Sequence, residues 1–122
     1  MNDTMKILTD WENAVVSRLL SAQSRPMTQF VHQLKDTSVA NEDRSENWVI
    51  ITFDSRRASP VDPSVNVRLP GYWKEAERAI LVDLEILKGK FYRLEYYTVN
   101  RAWSLHPLPA PGEMVVEEGK YR

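Results

Sequence analysis

The chain contains no cysteine. Disulfides, thiolate nucleophiles and cysteine-held zinc are thereby excluded, and a reducing cytoplasm is the expected setting. Histidine is almost as scarce. His32 and His106 are the only two and lie far apart, whereas a zinc site needs three or four nitrogen or sulfur ligands. No metal is expected. The four glycines, Gly71, Gly89, Gly112 and Gly119, are isolated, so no loop can cradle a phosphate and no cofactor is expected. No serine occupies a G-x-S-x-G elbow. No apolar run approaches the roughly 20 residues that span a bilayer. Met1 to Asp10 lacks a basic start followed by an apolar stretch, so no signal peptide is expected. Neither sign of charge dominates: 16 Lys and Arg stand against 17 Asp and Glu. That balance gives no reason to expect a nucleic acid or a membrane as partner.

What is present suits one soluble domain over residues 1–122. Of the 122 residues 43% are hydrophobic, enough for a core at this length. Thr9 followed by Glu12 is a capping-box pair. Trp11, Ala14, Val15, Leu19 and Ala22 then recur at helical spacing. These predict a first helix ending near Ser24, with Arg18 on its rim. Pro26 suits a first helical position. Met27, Phe30, Val31 and Leu34 predict a second helix to about Lys35. The polar stretch "TSVANEDRSEN" reads as a loop with a short strand near Val39. Trp48 to Asp54, "WVIITFD", predicts an interior strand covered on both faces. Val65, Val67 and Leu69 predict a half-buried strand stopped by Pro70 and Gly71. "YWKEAERA" is open between a helical turn and a strand entry. "AWSLH" predicts a last strand. Residues 107–122, with three prolines, predict an extended or loose tail that Met114, Val115 and Val116 can dock.

The most patterned stretch runs from Val82 to Asn100. Ile80, Val82, Leu84 and Ile86 share one face of a strand, and Tyr92, Leu94 and Tyr96 share one face of the next. A two-residue turn at Lys88 and Gly89 would set those rows on opposite faces. A three-residue loop, Leu87 to Gly89, with a left-handed Gly89 restores agreement. It opposes Leu84 to Tyr92, Val82 to Leu94, Asp83 to Arg93, Glu85 to Phe91 and Leu81 to Glu95. All even-numbered side chains from Ile80 to Tyr96 then turn inward.

The candidate binding residues follow from this register. Phe91, Arg93 and Tyr97 fall on the outer face of the hairpin. "KGKFYRLEYY" has the basic–glycine–aromatic look of an RNA-recognition strand. The outer acids Glu85 and Glu95 and the missing second glycine argue against base stacking. Asp83 and Glu85 share a face, as paired catalytic carboxylates would. Arg93 opposite Asp83 favours the ionised form over a general acid, so no catalytic residue is expected. Arg56 and Arg57, in a Pro-bounded loop after a central strand, could grip a carboxylate or phosphate. Tyr72 and Trp73 follow the Pro-Gly break and suit a contact patch.

"LEYYTVNRAWSLHPLP", Leu94 to Pro109, resembles the closing hairpin of small bacterial α+β domains, some of which look like immunity proteins of polymorphic toxin systems. The resemblance implies a cytoplasmic protein that binds and blocks a partner. The expected fold is α+β, with one or two N-terminal helices on a mainly antiparallel sheet of four or five strands. The expected function is non-catalytic protein binding rather than enzymatic activity. Two alternatives stand beside it. One is a small-molecule-binding domain or small enzyme using a cleft on the sheet, with Arg57, Asp83 or His106 gathered there. The other is a self-associating domain, for instance a homodimer, joined through a sheet edge or the aromatic patch.

Overall fold

In the computed structural model, residues 7–25 and 27–122 are described. They form an α+β fold: two helices, α1 (Asp10–Ser21) and α2 (Gln29–Gln33), and one antiparallel sheet. The sheet has five long strands, β1 (Ser38–Arg44), β2 (Trp48–Asp54), β3 (Val67–Lys74), β4 (Ala79–Leu87) and β5 (Lys90–Thr98). Two short ones, β6 (Val115–Val116) and β7 (Lys120–Tyr121), bring the total to seven, above the expected four or five. The order is β1-β2-β5-β4-β3, and both short strands pair with the outer edge of β3.

The capping box at the start of α1 forms as expected: Thr9 Oγ1 accepts from Glu12 N–H, and Glu12 Oε1 accepts from Thr9 N–H. The buried stripe differs from the expected one. Val15, Val16, Leu19 and Leu20 face the core, while Ala14 and Ala22 are exposed. The larger side chains win the inward positions because each removes more apolar surface from water. The second helix is shorter than expected, since Leu34–Asp36 tightens into a 3₁₀ turn. Pro26 lies outside the described residues. The strand near Val39 is seven residues long rather than short.

Pro70 and Gly71 do not stop β3; the strand runs through them to Lys74, which settles the entry of "YWKEAERA" as strand. Pro70 is tolerated because its ring nitrogen points to the outer edge, in the gap between β7 and β6. Its carbonyl there accepts from Glu117 N–H. Gly71 lies under Met114 and Leu19, where a Cβ would collide with Met114 Sδ. "AWSLH" forms no strand; Asn100 to Trp103 makes a turn and the chain then runs irregularly to Ala110. Residues 107–122 are extended and docked. Met114 is buried, Arg18 donates to Met114 O, and Gln23 bonds Glu117 O and Gly119 N–H.

The β4–β5 hairpin solves its parity problem by another route than the three-residue loop. Lys88 (φ 52°) and Gly89 (φ 74°) form a two-residue turn with both residues left-handed. Leu87 pairs with Lys90 and Ile86 with Phe91, but Glu85 then pairs with Arg93. Tyr92 is the extra residue of a β-bulge, and from there the apolar rows agree again. Leu84 opposes Leu94 and Val82 opposes Tyr96. Ile80, Val82, Leu84, Ile86, Leu94 and Tyr96 are buried as expected, whereas Tyr92 is 41% exposed and Phe91 takes its place in the core. Buried Gln33 of α2 secures this turn: it accepts from Phe91 N–H and donates to Gly89 O.

Replacing Gly89 with alanine is expected to cost more than about 1 kcal/mol of stability. The left-handed φ disfavours any Cβ, and this one would collide with the Asp62 carbonyl oxygen. Urea unfolding followed by tryptophan fluorescence measures the difference; equal midpoints would show that the turn tolerates a side chain.

Candidate functional site

α1 and α2 bury their apolar side chains in the core cluster on one face of the sheet. Among the described residues no helix covers the other face. Strand pairing arranges its side chains in three ranks. The first is apolar and aromatic: Trp48, Tyr97, Leu81, Tyr72 and Val115, each opposite the next across β2, β5, β4, β3 and β6. The four on the long strands are half-buried, and Val115 is 47% exposed. The middle rank is acidic, with Asp43, Glu95 and Asp83 separated only by Ile50 and ended by Pro70. The third alternates in charge: Arg93, Glu85, Arg68 and Lys120 follow Thr52. Trp48, Glu95, Tyr97, Val99 and Arg101 line a shallow cleft of about 710 Å³ at the end of the first rank.

The bulge at Tyr92 decides the electrostatics of this face. The expected pair of Asp83 with Arg93 does not form. Asp83 faces Glu95, and Arg93 faces Glu85. Glu85, 8% exposed, is compensated by Arg93 Nη2 at 3.2 Å and Arg122 Nη1 at 3.5 Å. Asp83 is compensated more weakly. Its one ion pair among the described residues, Arg68 Nε at 3.4 Å from Oδ1, is misaligned for a hydrogen bond, and that oxygen is sealed from solvent. An acceptor without a hydrogen bond costs up to about 1–3 kcal/mol. Burial pushes the Asp83 carboxyl above its ordinary range; Arg68 opposes this and Glu95 adds to it. Burial likewise raises the Tyr97 hydroxyl, with Asp83 and Glu95 adding to the effect. Among the described residues Glu95 has no ion pair.

The candidate residues read from the sequence separate into three places. Tyr72, Arg93 and Tyr97 lie on the open face. Trp73 and Phe91 do not reach a surface; each is 2% exposed. Trp73 stacks on Trp11 and donates to Ala110 O, and Phe91 packs against Phe30 and Phe53. Strand alternation through Pro70 turns Trp73 inward, and the bulge turns Phe91 inward. Arg56 and Arg57 border a cleft of about 570 Å³ with Lys35, Asp36 and Asp54. They do not act as a two-arginine grip, because Arg56 is held by Asp54, whose carboxyl those hydrogen bonds pull down to about 2. Arg57, Asp83 and His106 are not gathered around one cleft. Leu81 and Glu95 lie on the outer face as the sequence predicts, but opposite Tyr97 and Asp83 rather than opposite each other. Trp48, expected in a strand covered on both faces, stands half-buried on this open face. The signal for the changed partners was the parity conflict at Lys88-Gly89, which a bulge resolves as well as a longer loop.

A second group of charges is structural. Glu12 is fully buried, yet Arg44 contacts it in a fork, Nη1 to Oε2 at 3.0 Å and Nη2 to Oε1 at 3.2 Å. Tyr96 donates to Oε2 at 2.7 Å. Burial pushes the Glu12 carboxyl up, but the hydrogen bonds from Arg44, Thr9 N–H and Tyr96 outweigh it and hold it below its ordinary value.

No family model, curated protein or solved structure matches the chain. No helix among the described residues is long and apolar enough to cross a membrane.

The two carboxylates predict opposite pH behaviour. The lowered pKa of Glu12 contributes stability above its unfolded value that is lost as pH falls through the folded one. The raised pKa of Asp83 penalises folding at neutral pH and relaxes as pH falls through the raised value. Glu12→Gln, which leaves Arg44 partly solvated and paired with Glu42, should therefore cost about 1–3 kcal/mol at neutral pH, with the loss shrinking in acid. Asp83→Asn should gain up to about 1 kcal/mol by removing a like-charge neighbour. Urea titrations at neutral and acidic pH measure both; a stabilised Glu12→Gln or a destabilised Asp83→Asn would reverse the assignment.

Proposed function

We propose that this is a non-catalytic protein-binding domain that docks through the open face of its sheet, and that it acts as an immunity-type inhibitor of a bacterial toxin. The observation that carries the docking surface is the rank Trp48, Tyr97, Leu81 and Tyr72, half-buried on a face that no helix among the described residues covers. Aromatic side chains beside a polar, ion-paired margin match the anatomy of a protein interface. The cytoplasmic inhibitor role rests on the cysteine-free composition and on the sequence resemblance of Leu94 to Pro109, of which the first strand forms and the returning strand does not.

The sheet edges favour this reading over self-association. β1 carries a bulge after Val39 and the charged run Glu42, Asp43, Arg44, features that discourage strand addition. The edge of β3 is occupied by β6 and β7.

A photo-reactive residue at Thr52 or Tyr97, in the native host, should give one discrete protein adduct; the same residue at Asn13, on the exposed side of α1, should give none. Equal adducts from all three positions, or none from any, would remove the docking surface. The captured protein, expressed alone, should arrest growth, and co-expression of this domain should relieve the arrest. A captured protein with no such effect would leave binding without inhibition.

A further inference from the structure

The open face holds a charge pattern that its own cations leave incomplete. Glu95 and Asp83 stand side by side on β5 and β4. Glu95 has no ion pair among the described residues. Asp83 has one, with Arg68 at its sealed Oδ1 and without a hydrogen bond, while a quarter of its side chain stays exposed. The other neighbouring arginines, Arg93 and Arg122, are engaged with Glu85. Arg101 lines the same cleft as Glu95 but makes no ion pair with it. One rank away, Tyr97 and Trp48 present half-buried rings.

Resting on the docking surface above, we infer that this face recognises a partner protein through an arginine set among apolar side chains. The guanidinium is received by Glu95 and Asp83 and stacks on Tyr97. Arginine fits better than lysine because its planar fork bonds carboxylates and stacks on an aromatic ring at once. A bare divalent cation fits poorly. Calcium takes six to eight oxygen ligands, and no carboxylate cluster suited to a metal occurs among the described residues. A phosphate-bearing partner meets the wrong sign of charge.

The test is a two-dimensional NMR titration of the whole chain with two capped peptides. One has an arginine between two leucines, and the other carries citrulline, which is neutral and nearly the same shape. The arginine peptide should shift the amides of Glu95, Tyr97 and Asp83 and bind about ten-fold tighter than the citrulline peptide. Glu95→Gln, a conservative exchange on the surface, should erase that difference while its spectrum stays dispersed. Equal binding of the two peptides on this face overturns the arginine anchor but leaves the docking surface standing. No open-face shift with either peptide also overturns the anchor, whatever the cross-linking shows. Retention of the difference in Glu95→Gln removes Glu95 from the role.

Discussion

A fully buried carboxylate has to be met on every side or the fold that buries it fails, and Glu12 is met on every side. Its two oxygens take Thr9 N–H, both arms of Arg44 and the Tyr96 hydroxyl. Those partners come from the start of α1, the end of β1 and the C-terminal half of β5. One side chain therefore fixes where the helix begins, how it sits on the sheet and where the edge strand ends. Trp11, one residue earlier, extends the same junction by packing on Tyr96 and Trp73 and donating to Pro109 O. Removing Arg44 would strand the Glu12 charge in a dry place, which is costlier than the pair is worth when intact. The helix is held by specificity of position as much as by apolar area.

That junction also explains why one face of the sheet is closed and the other is not. α1 is only twelve residues long, and α2 is shorter still. Both are committed to the inner face, α1 by Glu12 and by Arg18, which with Gln23 just beyond the helix holds the C-terminal arm, and α2 by Gln33 at the hairpin turn. The C-terminal arm closes the β3 edge. Helices and arm are thus used on the inner face and one edge, and the opposite face keeps its aromatic and acidic ranks half-exposed.

The local features of this fold were legible in the sequence where they depend on neighbours along the chain. The Thr9–Glu12 box, the extent of β2 and the inward set Ile80 to Ile86 all follow from spacing alone. Pro70 was misread because tolerance of proline in a strand depends on which side its nitrogen faces, and that is set by the distant residues 115–121. The hairpin was misread for a subtler reason. A three-residue loop and a two-residue turn with a bulge satisfy parity equally well, yet they shift the cross-strand partners by two. The inward residues stay nearly the same, and the outward pairs all change. A reading that recovers the core can therefore miss the site, since the core constrains parity and the site depends on register.

That shift is what gives the open face its character. With Asp83 opposite Arg93 the face would be self-compensated, a solvated surface with little to recognise. With Asp83 opposite Glu95 it carries two adjacent acids, one of them with an oxygen cut off from water and from any donor. Like charges facing each other across strands weaken the free domain. A cation arriving from outside would remove that repulsion. Binding would then draw on strain already present in the unbound sheet, in addition to the contacts it forms. The bulge at Tyr92, which repairs the core, is the same feature that creates this imbalance on the opposite side.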